Sequence, residues 1–385
     1  MLGNLFSSTV FVNTYRSCAY TNGGVMKSRT QVIAALSAVL ILASTTLSSC
    51  TPATTADTTT LSLADSYAPT HIFAESGVSI FMDEASDPDS GPIGGSEETL
   101  DFAYYPAGQM GTPRDLVSLN RSGVLDITPA SAAYLSDQLP LSSVSDLPGM
   151  VEDSCVGAQA LFDMMSPGGI LYQEEYAPRG LRPLWVSVLP SYEILTVSRQ
   201  INSPSDLRGL NIRTSGGALD ATLSDLGAAA VSMPAPEAYE ALSRKTVDGV
   251  AFPFISVLPY KLQEVLDYST TGLNIGAFAI PYVISEETWS ELDPAMRSRI
   301  ERAGHDAQNS LCQAVNDETP AAIDAIGKDG VEFKTPDAQG MKEFEDKLAP
   351  VRKQWAENMD SIGKPGSQVL SQYEALIARY EGNSK

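Results

Sequence analysis

Residues Ser203 to Pro253 read SPSDLRGLNIRTSGGALDATLSDLGAAAVSMPAPEAYEALSRKTVDGVAFP, and this stretch decides the fold. Ser203, Pro204 and Asp206 form the cap, first position and first-turn acid of a short helical turn that Gly209 ends. Leu210, Ile212 and Thr214 alternate with Asn211 and Arg213, the period of a strand. Ser215, Gly216 and Gly217 open a helix whose apolar face is Leu219, Leu223 and Leu226. Ala229 to Met233 predicts a second strand, Pro236 a second helix, and Val247 to Phe252 a third strand. The pattern is βαβαβ, with Arg213 at the carboxyl end of a strand, where ligands of open α/β sheets collect. A guanidinium there can hold a carboxylate by two parallel hydrogen bonds, and the free amides of residues 215 to 217 add donors at a positive helix end. The alternative is that Arg213 pairs with a structural Asp or Glu.

Working outward, the same strand, turn, helix and strand order recurs from Leu100 to Thr128, so two similar α/β lobes are expected. Leu61 to Asp65 predicts the first strand of the folded body, with Tyr67 and His71 beyond its carboxyl end. Both face the ligand if the crevice logic holds; a lone exposed loop histidine is the commoner role for His71. Ser131 follows the strand from Val124 to Thr128 and also lies at a carboxyl end. Ser154 to Met165 predicts a helix, and Leu181 to Val188 a strand. The chain is expected to cross to the second lobe near Pro190, with Ile255 to Tyr268 helical and Leu273 to Ile284 returning as extended chain. From Pro294 a long helical pattern runs to Gly327 and could brace both lobes. Met341 to Trp355 and Ser367 to Tyr380 read as surface helices.

The 385 residues carry 47 acidic and 25 basic side chains, a formal charge of −22. Removing residues 1–49, which hold three basic residues and no acid, takes the charge to −25. Such a surface repels phosphate backbones and anionic lipid, so nucleic-acid binding is excluded as a working class. Cys18, Cys50, Cys155 and Cys312 form no CxxC and no zinc-ligand spacing, and with His71 and His305 as the two histidines no metal or cofactor site emerges. His305 is expected on the surface of the long helix. The chain lacks GxSxG, HExxH, P-loop and GxGxxG signatures, which argues against an enzyme.

Lys27 and Arg29 precede an apolar, small-residue core from Val32 to Leu47, closed by Leu47-Ser48-Ser49-Cys50. This resembles a bacterial lipobox, which implies cleavage before Cys50, a lipid on its thiol and a membrane-held, extracytoplasmic protein; Met26 then reads as the natural start. Thr51 to Thr60 is a Thr- and Ala-rich tether. Cys155 and Cys312 remain, either as a disulfide or as two buried free thiols, and the reading favours free thiols.

Asp206-Leu207-Arg208-Gly209-Leu210-Asn211-Ile212-Arg213, then Pro236-Glu237-Ala238-Tyr239-Glu240-Ala241-Leu242 and Val247-Asp248-Gly249, resemble the DctP-like solute-binding subunits of tripartite ATP-independent periplasmic (TRAP) transporters. Tyr105-Pro106-Ala107-Gly108-Gln109-Met110-Gly111 and Gly123-Val124-Leu125-Asp126 are similar to that family's first-lobe motif. The resemblance implies an α/β, two-lobed periplasmic-binding-protein (type II-like) clamp with a long helix spanning both lobes. It implies a signal peptide over residues 1–49 and a tether over 50–60. Lobe 1 is then 61–190 with 278–318, and lobe 2 is 191–277 with 319–385. It also implies capture of a small organic acid for TRAP membrane subunits, with Arg213 on the carboxylate and Tyr67, Ser131, Ser215, Gly216 and the loop near Asn274 lining the cleft.

Two positions depart from the family pattern. An asparagine frequent in members that bind acidic sugars or C4-dicarboxylates is replaced by Phe252, and a second frequent arginine falls on Glu193. The expected ligand is therefore an apolar or aromatic monocarboxylate with Phe252 against it, unless Phe252 is plain core. A receptor feeding a sensor kinase would use the same clamp.

Overall fold

The structure is a computed structural model that describes residues 58–88 and 99–383. The signal segment, the lipobox with Cys50, the first part of the tether and most of the acidic loop at 87–98 lie outside the described residues.

The chain begins with β1 (Thr58–Ala64), α1 (Ser79–Ser86) and β2 (Thr99–Tyr105). It continues through α2 (Leu116–Arg121), β3 (Ile127–Pro129), α3 (Ser154–Met165) and β4 (Leu181–Leu189). The tether ends earlier than expected: Thr58, Thr59 and Thr60 pair in parallel with Thr99, Leu100 and Asp101. Their β-branched side chains suit a strand, and β2 supplies the partner that composition alone could not reveal. The helix expected between the strands of the Leu100 to Thr128 stretch is the short α2, preceded by turns.

Beyond Pro190 come β5 (Tyr192–Thr196), β6 (Asn211–Thr214), α4 (Ala218–Leu226), β7 (Ala229–Ser232), α5 (Ala238–Ser243), β8 (Gly249–Pro253) and β9 (Tyr268–Thr270). The predicted helix over Ile255 to Tyr268 does not form. Two short 3₁₀ turns at Phe254–Ser256 and Leu262–Glu264 replace it, because Lys261 sits in the left-handed region at φ +57°. The chain ends with β10 (Phe278–Ser285), α6 (Glu286–Glu291), α7 (Pro294–Lys328), β11 (Glu332–Lys334), α8 (Ala338–Leu348), α9 (Val351–Ser361) and α10 (Gly366–Asn383).

Two sheets result, ordered β2-β1-β3-β10-β4 and β11-β9-β5-β8-β6-β7. β1, β2 and β3 are parallel while β10 runs antiparallel to β3 and β4. In the second sheet β6 is parallel to β7 and β8, and β5 is antiparallel to β8 and β9. The crossing expected near Pro190 is there: β4 ends at Leu189 in one sheet and β5 starts at Tyr192 in the other. The chain returns between Thr270 and Phe278, beside the first crossing; it passes to the second lobe again along α7 and comes back between β11 and α9.

α7 is 35 residues long and starts on an Asp293 cap, whose carboxylate accepts from the amides of Ala295 (2.6 Å) and Met296 (3.0 Å). Its Met296, Ile300, Ala303, Ala307 and Leu311 are buried with Phe81 and Trp185 of the first lobe, while Ile326 is buried with Leu195, Val257 and Val331 of the second. The long helix therefore braces both, and His305 is exposed on it as expected. The final helices differ from the expected division. Val351 and Trp355 of α9 and Val369, Tyr373 and Ile377 of α10 share a core with Leu161 and Met165 of α3, so residues 351–383 pack on the first lobe. Their apolar stripes were legible, but a stripe does not state which lobe it covers.

Candidate functional site

The turn before β6 forms as its sequence dictates: the Asp206 carboxylate accepts from the amides of Asn202 and Ser203, both at 2.9 Å. That turn leads into β6, where Arg213 stands in register with Val231 of β7 and Val250 of β8. Its side chain is 1% exposed. Nε and Nη2 donate to the Met233 carbonyl at 3.0 and 2.7 Å, and Nη1 has no partner. No carboxylate of a described residue forms an ion pair with it, so the alternative of a structural Asp or Glu partner is set aside. The Met233 fork holds the guanidinium in one orientation, and the remaining edge is a buried cation with an unused donor. Leaving such a group bare costs more than leaving an ordinary donor bare, and an anion relieves it.

An aromatic cluster begins beside the guanidinium. The Phe252 ring lies 5.1 Å from the guanidinium carbon, with Tyr260 edge-on to Phe252 at 5.9 Å and Tyr192 at 6.4 Å. His71 lies 5.6 Å from Tyr260 and 5.0 Å from Tyr67, which meets Phe73 edge-on at 4.5 Å. Tyr134 lies against Phe278 at 5.2 Å. Burial drives the phenol pKa values of Tyr67, Tyr192 and Tyr260 well above the usual 10.0, and the Arg213 charge partly offsets this at Tyr192 and Tyr260. All three stay neutral. Burial lowers His71 to about 4, so its ring is uncharged near neutral pH. Asp65, buried below Tyr67, is raised by desolvation to about 7, against the pull of hydrogen bonds from the Tyr282 hydroxyl and the Tyr67 amide. Arg213 is thus a buried cation among uncharged aromatic rings.

The lobes are closed over it. Tyr134 of the first lobe accepts from the Ala235 amide of the second at 3.1 Å, and Arg114 donates to Ser232 Oγ at 3.3 Å. Gly216, at φ +107°, is pressed so close that a Cβ there would stand 2.5 Å from the Ala133 carbonyl oxygen. A hollow of about 400 Å³ lined by Arg114, Tyr134, Gln138, Gly216 and Asp220 lies at this seam and does not reach Arg213.

The predicted site residues separate into two groups. Tyr67 and His71 are buried in the ring cluster, and the exposed-loop role of His71 is overturned by its 1% exposure. Ser215 is buried two residues from Arg213 with its hydroxyl unpartnered. Ser131 is buried past the end of β3. Gly216 serves the closed seam. Phe252 lies beside the guanidinium and belongs to the second-lobe core with Leu242 and Val250, so its core role is present.

The Glu193 carboxylate accepts from Thr270 Oγ1 (2.7 Å) and the amides of Leu273 (2.9 Å) and Asn274 (3.3 Å), so it fastens the returning connection. Burial raises its pKa, opposed by those bonds. Asn274, left-handed at φ +45°, donates through Nδ2 to the Val151 carbonyl at 3.1 Å and so ties that connection to the first lobe, while its Oδ1 has no partner. The favoured free thiols are also corrected: Cys155 of α3 and Cys312 of α7 are joined as a disulfide. Their pairing depends on two helices far apart in sequence lying side by side, which spacing cannot show.

Sequence reasoning missed Tyr134, Tyr192, Tyr260 and Asp65. Asp65 and Tyr192 each stand at a lobe strand's end facing the crossing, a signal that was present. Tyr260 was hidden inside the stretch misread as helix.

The family model described as bacterial extracellular solute-binding protein, family 7 (DctP) matches residues 95–358. The chain is similar to a TRAP solute-binding protein from Rhodoferax ferrireducens T118 whose structure holds copurified benzoate (24% identity, 85% of this chain and 100% of that one, TM-score 0.75). It is similar also to a marine metagenome TRAP solute-binding protein described as specific for aromatic acid ligands, with bound metahydroxyphenylacetate (20% identity, 83% and 99% coverage, TM-score 0.75). The sialic acid-binding periplasmic protein SiaP of Vibrio cholerae is 24% identical over 284 residues, 73% of this chain and 84% of that one. The two-lobed clamp is the fold of these proteins, and their role is to bind solutes, not to transform them. The model match spans more than half of the sequence, and the chain belongs to the DctP family of bacterial extracellular solute-binding proteins.

Proposed function

We propose that this protein captures an aromatic or otherwise apolar monocarboxylate between its lobes and delivers it to TRAP-type membrane subunits for uptake, while tethered outside the cytoplasm by a lipid on Cys50. The observation that carries the reading is Arg213 Nη1, a buried donor on a permanent cation with no protein partner, beside the rings of Phe252, Tyr260 and Tyr192. One free guanidinium edge suits one carboxylate, and neutral rings around it suit an apolar body rather than a second charge. Glu193 and Phe252, where related proteins for dicarboxylates or acidic sugars carry ligand-binding groups, supply neither a cation nor an amide here. Relatives with benzoate and metahydroxyphenylacetate support the class, and the disulfide fits an oxidising compartment.

A thermal-shift screen of benzoate, hydroxybenzoates, phenylacetate, succinate and sialic acid tests the proposal. Aromatic monocarboxylates are expected to raise the melting temperature of wild type and not of Arg213→Ala. A shift by succinate or sialic acid alone contradicts the ligand class, and an equal shift in Arg213→Ala contradicts the anchor.

A further inference from the structure

Two pairs of unpartnered polar atoms lie along the ring cluster. Arg213 Nη1 and Ser215 Oγ, two residues apart at the end of β6, make one. His71 Nε2 and the Tyr260 hydroxyl, on rings 5.6 Å apart, make the other. A chain of ring contacts links them: Phe252 is 5.1 Å from the Arg213 guanidinium carbon and 5.9 Å from the Tyr260 ring. A carboxylate bound by the first set leaves the second bare, and each buried polar group without a partner costs about 1–3 kcal/mol.

We infer that the site takes an aromatic monocarboxylate bearing an oxygen substituent on its ring away from the carboxylate, and that His71 selects for that oxygen. This rests on the carboxylate reading above and names the ligand within it. The Phe73 amide donates to His71 Nδ1 at 3.3 Å, so the ring proton is on Nε2, and the bare nitrogen is a donor seeking an acceptor. Burial keeps the imidazole neutral, with a pKa of about 4. It therefore attracts a hydroxyl, ether or carbonyl oxygen without adding the second positive charge that would favour a dicarboxylate. The Tyr260 hydroxyl beside it accepts or donates in turn, which matches a ligand hydroxyl better than an ether.

Isothermal titration of wild type, His71→Phe, His71→Gln and Arg213→Ala with benzoate, 3-hydroxybenzoate, 4-hydroxybenzoate and terephthalate tests this, with folding of each variant checked by circular dichroism. At least one hydroxybenzoate is expected to bind wild type about tenfold or more tighter than benzoate, as a hydrogen-bonded hydroxyl implies, with terephthalate weakest. That ratio is expected to collapse toward one in His71→Phe and to survive in part in His71→Gln, which keeps an N–H donor. Should His71→Phe fail to fold, His71→Ala replaces it with the same expected collapse. Benzoate as tight as both hydroxybenzoates in wild type, or a ratio unchanged in the apolar variants, overturns the role of His71. If no aromatic acid binds wild type, or if Arg213→Ala binds like wild type, the underlying carboxylate reading fails instead.

Discussion

The place of Arg213 at a strand end was legible because strand alternation and a glycine pair coincide within the eight residues Leu210 to Gly217. The ring cluster near it was legible only in part, because Tyr134, Tyr192 and Tyr260 join Tyr67 and Phe252 only when both sheets are assembled. Removing the guanidinium, in Arg213→Ala, is expected to weaken carboxylate binding at least a hundredfold, the order of a buried charge-assisted pair, in a titration that still finds a folded protein. Asp65 gives a pH test at the same scale. Its carboxyl titrates near 7 when folded against a usual 3.8, so the folded state holds the proton more tightly. Its contribution to stability is complete below about pH 4 and is lost as pH rises through 7. Asp65→Asn keeps the neutral shape. The melting temperature of the variant relative to wild type is therefore expected to be higher at pH 8 than at pH 5, by at least about 2 °C, and a pH-independent difference contradicts the assignment.

Among the elements, those with a strong local period were readable: α3 matches its predicted limits, and α7 its predicted start and stop. Elements whose identity depends on a partner were not. Ile255 to Tyr268 has helical spacing yet turns at Lys261, and Thr58 to Thr60 has tether composition yet pairs with β2. Gly216, at the turn into α4, belongs to this scale. A valine there meets both a left-handed backbone and the Ala133 carbonyl, so Gly216→Val is expected to weaken ligand binding about tenfold or more and to enlarge the ligand-bound molecule in solution scattering. Unchanged affinity would mean that the seam is not part of the binding step. The bridge between α3 and α7 closes 157 residues, for which chain entropy alone gives about 4–5 kcal/mol as an upper figure. Reduction, or Cys155→Ser, is expected to lower the melting temperature by several degrees. Thiol titration of an unfolded, unreduced chain beginning at Thr51 should find no free thiol; two would contradict the pairing.

For the whole molecule, the two-lobed clamp and its bracing helix followed from repeated βα order together with family resemblance, whereas the placement of α9 and α10 on the first lobe did not. Sequence shows that a face is apolar; only the assembled molecule shows what it covers. The connection after β9 is fastened by Glu193 and Asn274, and the lobes meet at the seam formed by Tyr134, Arg114 and Gly216. In the proposed binding mode, closure draws its energy from ligand contacts made only when Arg213, on one lobe, and His71 and Tyr67, on the other, share one molecule. A crystal structure of the protein purified with its own bound ligand measures this directly. The account predicts a carboxylate within about 3 Å of Arg213 Nη1 and an aromatic body beside Phe252 and Tyr260, and a ligand whose carboxylate lies away from Arg213, or outside the interlobe chamber, contradicts it.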